Sequence, residues 1–221
     1  MFFVTVFVAF IAFPQRDDAI FHHTDKNLIN VEASGSIGLY HYSVGKCVQT
    51  HPNETIISSE MKEWCSNIAS NKSDHPWIQY SVRGKQMKIR GYSVRNGCCR
   101  YPCCCTVDGE IIDTDCCCKL YSFSLQASND NIQWTTIHKV EKDDKFYHCL
   151  AKEYKFEQET VPYTYIRLIL DEEWPGCIRC LQINQIELYG EAIPGEYFPI
   201  NDGNDEDQIV SIIGRLERGE Q

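Results

Sequence analysis

Apolar and polar residues alternate most clearly over residues 121–127. Tyr121, Phe123, Leu125 and Ala127 fall on one face, and Ser122, Ser124 and Gln126 on the other. That period of two is the pattern of a half-buried β-strand. Asn129-Asp130-Asn131 follows; such residues bond their own backbone and tolerate left-handed dihedrals, so they predict a tight turn. Trp134 then opens a further strand. Residues 75–80, 87–94, 134–138, 154–156, 163–170 and 186–190 are short runs of aromatic and β-branched residues separated by polar turns. No long stretch between them places apolar residues at helical spacing. The pattern predicts an all-β chain, an antiparallel β-sandwich. Trp77, Trp134 and Tyr165 are expected in its core. Trp64 is expected either there or facing a ligand.

The order of these segments resembles a known family. Ser58-Ser59, then Trp77-Ile78-Gln79, Lys88-Ile89-Arg90-Gly91-Tyr92, the Ser128-Asn129-Asp130-Asn131 turn with Trp134, Tyr165-Ile166-Arg167-Leu168, and residues 183–190 together resemble the factor 5/8 type C, or discoidin, family. The resemblance covers roughly residues 35–190. It implies a galactose-binding-like jelly roll and a non-catalytic module that binds glycans, anionic lipids or proteins. Glu191 follows Gly190 where many members carry a closing cysteine, which makes the chain more similar to the short protist variants.

Composition alters this picture at the two ends. The chain has 221 residues, room for one domain of about 150 residues plus ends. Its formal net charge of −10 argues against nucleic acid as a partner. Much of that charge lies in residues 191–221, which hold eight acidic and two basic side chains and read as an acidic tail. Within it Ile209, Ile212, Ile213 and Leu216 form one stripe of a short C-terminal helix that Asp207 could cap. Residues 202–207 allow a structural calcium loop but lack the spacing of the helical-hand pattern. Residues 1–13 are almost wholly apolar yet too short to span a bilayer. They are read as a secretory signal within residues 1–15, although no lysine or arginine precedes them; a core strand is the alternative. Residues 16–34 are read as a leader. Sequons at Asn53 and Asn71 are glycosylation candidates, and about one arises by chance at this composition. Secretion or display at the cell surface is the expectation, with the cytoplasm as the alternative.

Cysteine usage is the anomaly. Of 13 cysteines, eight lie in residues 98–118: Cys98, Cys99, Cys103, Cys104, Cys105, Cys116, Cys117 and Cys118. Gly97, Pro102 and Gly109 mark this segment as a loop inserted between two strands. Three readings compete. Disulfides could brace the loop, the Cys98-Cys99 pair and the Cys103 triplet bonding across to the Cys116 triplet. A thiolate cluster could hold zinc or copper, since soft sulfur suits both ions. The cysteines could also be acylated. Cys177 and Cys180, with two residues between them, read as a local disulfide or buried thiols, with half a metal site or a redox pair as the rival. The resemblance implies a further pairing, of Cys47 or Cys65 with Cys177 or Cys180.

No nucleophile elbow, phosphate loop or dinucleotide fingerprint occurs. Asp143-Asp144 and Asp171-Glu172-Glu173 are adjacent in sequence, so on a strand they diverge and read as solvated turns rather than an acid–base pair. The expected function is therefore binding through loops. The resemblance places ligand-recognition spikes at residues 60–74 and in the cysteine loop. The candidate contacts are Trp64, Asn67, Asn71, Lys72 and His75 in the first, and Arg95 and Arg100 beside the second. A surface carbohydrate is the expected partner, then an anionic lipid or a protein. A thiolate metal-binding protein and an intracellular interaction adaptor are the rivals.

Overall fold

The alternation in residues 121–127 is a strand in the computed structural model, which describes residues 16–41, 45–57, 62–71, 73–98, 104–106, 118–147 and 149–195. A short helix, α1 (Ile20–His23), precedes twelve strands: β1 (Ile29–Ala33), β2 (Ser36–His41), β3 (Lys46–Gln49), β4 (Trp64–Ser66), β5 (Trp77–Val82), β6 (Lys85–Asn96), β7 (Cys104–Cys105), β8 (Ser122–Ser128), β9 (Thr135–Val140), β10 (Ala151–Lys155), β11 (Tyr165–Glu172) and β12 (Gln182–Pro194). One sheet runs β1-β5-β11-β8-β9. The other runs β10-β6-β12-β4-β2-β3, with β7 added against β2. The pairings are antiparallel. This is the expected β-sandwich.

The core lies between the sheets. Phe123, Leu125 and Ala127 of β8 and Ile166, Leu168 and Leu170 of β11 are fully buried, with Leu125 opposite Leu168 and Ala127 opposite Ile166. They meet Val94, Ile186 and Leu188 of the second sheet in one cluster. Burying each such side chain contributes about 1.5–3 kcal/mol. The turn after β8 also forms as its residues dictate. Asp130 Oδ1 accepts the Ile132 and Gln133 amides at 2.9 and 2.8 Å and the Ser128 hydroxyl at 2.9 Å. Asn131 takes the left-handed conformation, φ 58°. These bonds to the charged form hold the Asp130 carboxyl below its ordinary value.

Several expectations are corrected. Trp77, Trp134 and Tyr165 are half-buried rather than core. In β5 the inward set is Ile78, Tyr80 and Val82, and in β11 it is Ile166, Leu168 and Leu170, so strand alternation turns Trp77 and Tyr165 outward. Trp134 packs beneath the Arg167 guanidinium, 3.9 Å from its ring centroid. Residues 16–34 are part of the sandwich rather than a leader. Strand β1 pairs with β5, Ala19 bridges Tyr189, and Phe21 is fully buried. Glu187 accepts the Phe21 and His22 amides at 2.7 and 3.1 Å, and Arg16 stacks 4.2 Å over the Tyr189 ring. Strand β12 continues to Pro194, past the expected boundary at residue 190. The apolar run of residues 1–13 and the stripe at residues 207–216 lie outside the described residues. Among the described residues no helix is long and apolar enough to cross a membrane.

Candidate ligand-binding end of the sandwich

At one end of the sandwich the registers bring together the exits of β6, β9 and β11 and the entries of β5, β8, β10 and β12. Ser122 is opposite Glu172 and Val140 opposite Phe123, while Ala151 is opposite Arg95 and Asn96 opposite Ile183. Asn96, buried and missed in the sequence, joins the end of β6 to two connections here. Its amide donates to the Phe146 carbonyl at 2.7 Å, and its Oδ1 accepts the Leu120 amide at 3.1 Å. Buried Glu63 binds the Cys98 amide and the Gln182 side chain. The two ends of the cysteine-rich connection are thus held by hydrogen bonds to neighbouring strands.

Disulfides hold them as well, but with other partners than expected. The bridges are Cys47–Cys105, Cys65–Cys104, Cys98–Cys149 and Cys118–Cys180. The loop's described cysteines therefore bond outward to the scaffold, not across the loop, because β7 lies against β2 with Leu39 opposite Cys104 and Gly38 opposite Cys105. Neighbouring residues on a strand point to opposite faces, so Cys104 reaches β4 and Cys105 reaches β3. Gly38 leaves room for this: a Cβ there would stand 2.2 Å from the Cys47 sulfur. The pairing of Cys47 or Cys65 with Cys177 or Cys180 does not occur. Nor is Cys177–Cys180 a local bond, since Cys180 is bridged to Cys118; Cys177 is disulfide-bonded too. Every cysteine among the described residues is oxidised, so none of them supplies a metal thiolate. Cys99, Cys103, Cys116 and Cys117 lie outside the described residues. Among those described, no group of three or more His, Cys, Asp or Glu converges as a metal site.

The predicted contact residues divide. Trp64 is corrected to a core residue: it is fully buried and its indole donates to the Ser36 hydroxyl at 2.8 Å. Arg95 is also buried, because it sits inside β6 between β10 and β12, and so does not present a cation to solvent. Asn67 accepts the Ser34 hydroxyl at 2.9 Å. Asn71 is exposed and folds its own turn, accepting the Ser73 and Asp74 amides at 2.9 and 3.1 Å. His75 donates from Nδ1 to the Leu170 carbonyl at 2.7 Å. Asn53 is exposed on the 3-10 turn Pro52–Ile56. Lys72 and Arg100 lie outside the described residues.

An aromatic pair that sequence reasoning passed over stands at this end. The half-buried Tyr121 and Trp174 rings lie 5.2 Å apart, with the Lys119 ammonium 5.5 Å from the indole centroid. Acidic residues 171–173 directly precede Trp174 in the chain. Asp171 accepts the Ser124 hydroxyl at 2.6 Å, Glu172 the Ser122 hydroxyl at 3.0 Å, and Glu173 pairs with Arg179 at 2.6 Å. The acidic run 171–173 is therefore not a freely solvated turn. The available signal was a tryptophan directly before the turn residues Pro175-Gly176. The Cys118–Cys180 bridge ties together the two segments that carry these rings. Aromatic faces beside ordered carboxylates can stack on the C–H face of a sugar and accept its hydroxyl protons.

No family model matches the sequence, and no curated protein matches it. Solved structures match the fold. One is CpGH89CBM32-5 from Clostridium perfringens, in complex with GalNAc-β-1,3-galactose: 14% identity, 75% of this chain, 97% of that one, TM-score 0.51. Another is CBM32-3 from a family 31 glycoside hydrolase of the same organism: 12% identity, 79% of this chain, 96% of that one, TM-score 0.50. The chain shares the antiparallel β-sandwich fold of these structures.

Proposed function

We propose that this chain is a non-catalytic carbohydrate-binding module that recognises a terminal sugar with the disulfide-anchored end of its sandwich. The observation that carries the reading is the Tyr121–Trp174 pair, whose chain neighbours Ser122 and Glu173 bond Glu172 and Arg179. The setting supports it. The whole-domain likeness to CpGH89CBM32-5, whose bound sugar is GalNAc-β-1,3-galactose, makes a galactose-type sugar the favoured class. Burial of Arg95 removes one of the two cations expected to meet an anionic head group, which favours glycan over lipid. Bridges joining distant strands persist in oxidising compartments, so the module works outside the cytosol.

A glycan array with the full oxidised chain tests this. Binding to galactose-terminated glycans, competed by free galactose, is the expected result. Trp174→Ala should weaken it about tenfold or more, the scale for removing an aromatic anchor. Absence of binding to every arrayed glycan by folded protein sinks the reading.

A further inference from the structure

A groove of about 510 Å³ opens on the flank of the sandwich, between the edge strands β9 and β10. Its volume is that of a small-ligand site, about 300–1,000 Å³, and none of its lining residues belongs to the aromatic pair described above. A β-bulge builds one wall. His138 is opposite Leu125 and Thr136 opposite Gln126, which leaves Ile137 as the extra residue. Bulges re-aim side chains, and here Ile137 and His138, successive in sequence, both line the groove. Lys155 at the end of β10, then Phe156, Glu157 and Val161, line it from the other side.

The polar centre of the groove is braced from behind. Fully buried Tyr92 places its hydroxyl 2.9 Å from His138 Nδ1, and its ring stacks on Tyr154 with centroids 4.9 Å apart. Burial pushes the Tyr92 phenol well above its ordinary value, so it keeps its proton. Nδ1 is its hydrogen-bond partner among the described residues. This bond occupies Nδ1 and leaves Nε2 as the ring nitrogen free to meet a ligand. Burial lowers the His138 pKa, which keeps the ring neutral. The Phe156 ring lies 5.7 Å from the His138 ring, and Val161 is 63% exposed. An apolar surface, one oriented imidazole nitrogen, and an ammonium and a carboxylate of opposite charge suit a neutral polyol rather than an ion.

We propose that this flank groove is a second saccharide site, which takes a neutral mono- or disaccharide with its C–H face on Phe156 and Val161 and its hydroxyls on His138 Nε2, Lys155 and Glu157. The inference rests on the glycan-binding reading and extends it: the module holds sugar at two separate places, one at its end and one on its flank.

The test titrates the full oxidised chain with GalNAc-β-1,3-galactose, by calorimetry and by the NMR methyl signals of Ile137 and Val161, in wild type, Trp174→Ala, Val161→Asp and His138→Phe. Val161 is exposed, so Val161→Asp should fold normally. In wild type and Trp174→Ala the methyl signals of both residues should move with sugar. Val161→Asp and His138→Phe should lose that event by about tenfold or more in affinity and keep binding at the Trp174 end. Binding abolished by Trp174→Ala, with the Ile137 and Val161 methyls silent in wild type, overturns the groove and leaves the glycan reading intact. A wild-type chain that takes no sugar here and none on the array overturns both.

Discussion

Gly190→Ala should destabilise this protein more than Gly84→Ala does. Gly190 sits in β12 where its register against β6 shifts. Its φ is +149°, and a Cβ there would stand 2.0 Å from the Lys88 carbonyl oxygen and 2.9 Å from the Ile89 Cα. Both obstacles are backbone, so no rotamer change relieves them. The Gly190 amide also donates to the Asp18 carbonyl at 2.8 Å, so a shift at this point loosens the N-terminal segment too. Gly84→Ala supplies the control: its φ is +69° and a Cβ there meets nothing within 4 Å. Gly84→Ala should cost the dihedral alone, about 1–2 kcal/mol. Gly190→Ala adds roughly 1–3 kcal/mol for forcing an atom into a packed interior, a total of about 2–5 kcal/mol. Urea unfolding of the oxidised chain measures the difference. With a slope of about 1–3 kcal/mol per M, the Gly190→Ala midpoint should fall by about 1 M or more, and further than that of Gly84→Ala. Equal midpoints for the two variants would refute the close approach of β6 and β12 at this position.

Two further outcomes follow from buried groups. Burial raises the Glu187 carboxyl to about 6 from 4.5, although the Phe21, His22 and Leu188 amides that it accepts oppose the rise. A carboxyl raised on folding binds its proton more tightly in the native state. The stabilisation is therefore full below about pH 4.5 and is lost as pH rises through about 6. It amounts to about 2 kcal/mol. Urea midpoints at pH 4.5 and 7 should show this step in wild type and a flattened one in Glu187→Gln; parallel profiles would disprove it. Replacing Cys118 and Cys180 together by alanine opens a bridge between residues 62 apart, for which chain entropy gives about 4 kcal/mol and typical losses are about 2–4 kcal/mol. Thermal unfolding should register that loss and sugar titration a weaker Trp174 site, while an unchanged melting temperature would show that the hydrogen bonds of Asn96 and Glu63 suffice.

What was legible in the sequence was local. The inward set Phe123, Leu125, Ala127 and the Asn129-Asp130-Asn131 turn could be read because a period of two and a self-bonding turn need no distant partner. The same rule misplaced Trp77 and Tyr165. Alternation sorts residues into two faces without saying which face meets the core, and size alone put the aromatics inside. Trp64 was ambiguous because β4 has three residues, too few to show a period. Residues 16–34 read as a leader because their apolar groups are sparse; Phe21 is buried through Glu187 and β12, contacts 166 residues away.

The site divides in the same way. The sequence by itself determined that this is a β-sandwich and that its cysteines gather in one connection. Tertiary structure alone decided that Cys104 and Cys105 diverge to β4 and β3, that Tyr121 meets Trp174, and that a bulge turns Ile137 and His138 into the same groove. The reason is physical. Strand identity follows from side chains a few positions apart, whereas disulfides, ring pairs and grooves depend on the register between strands, and a register exists only once the sheets have paired.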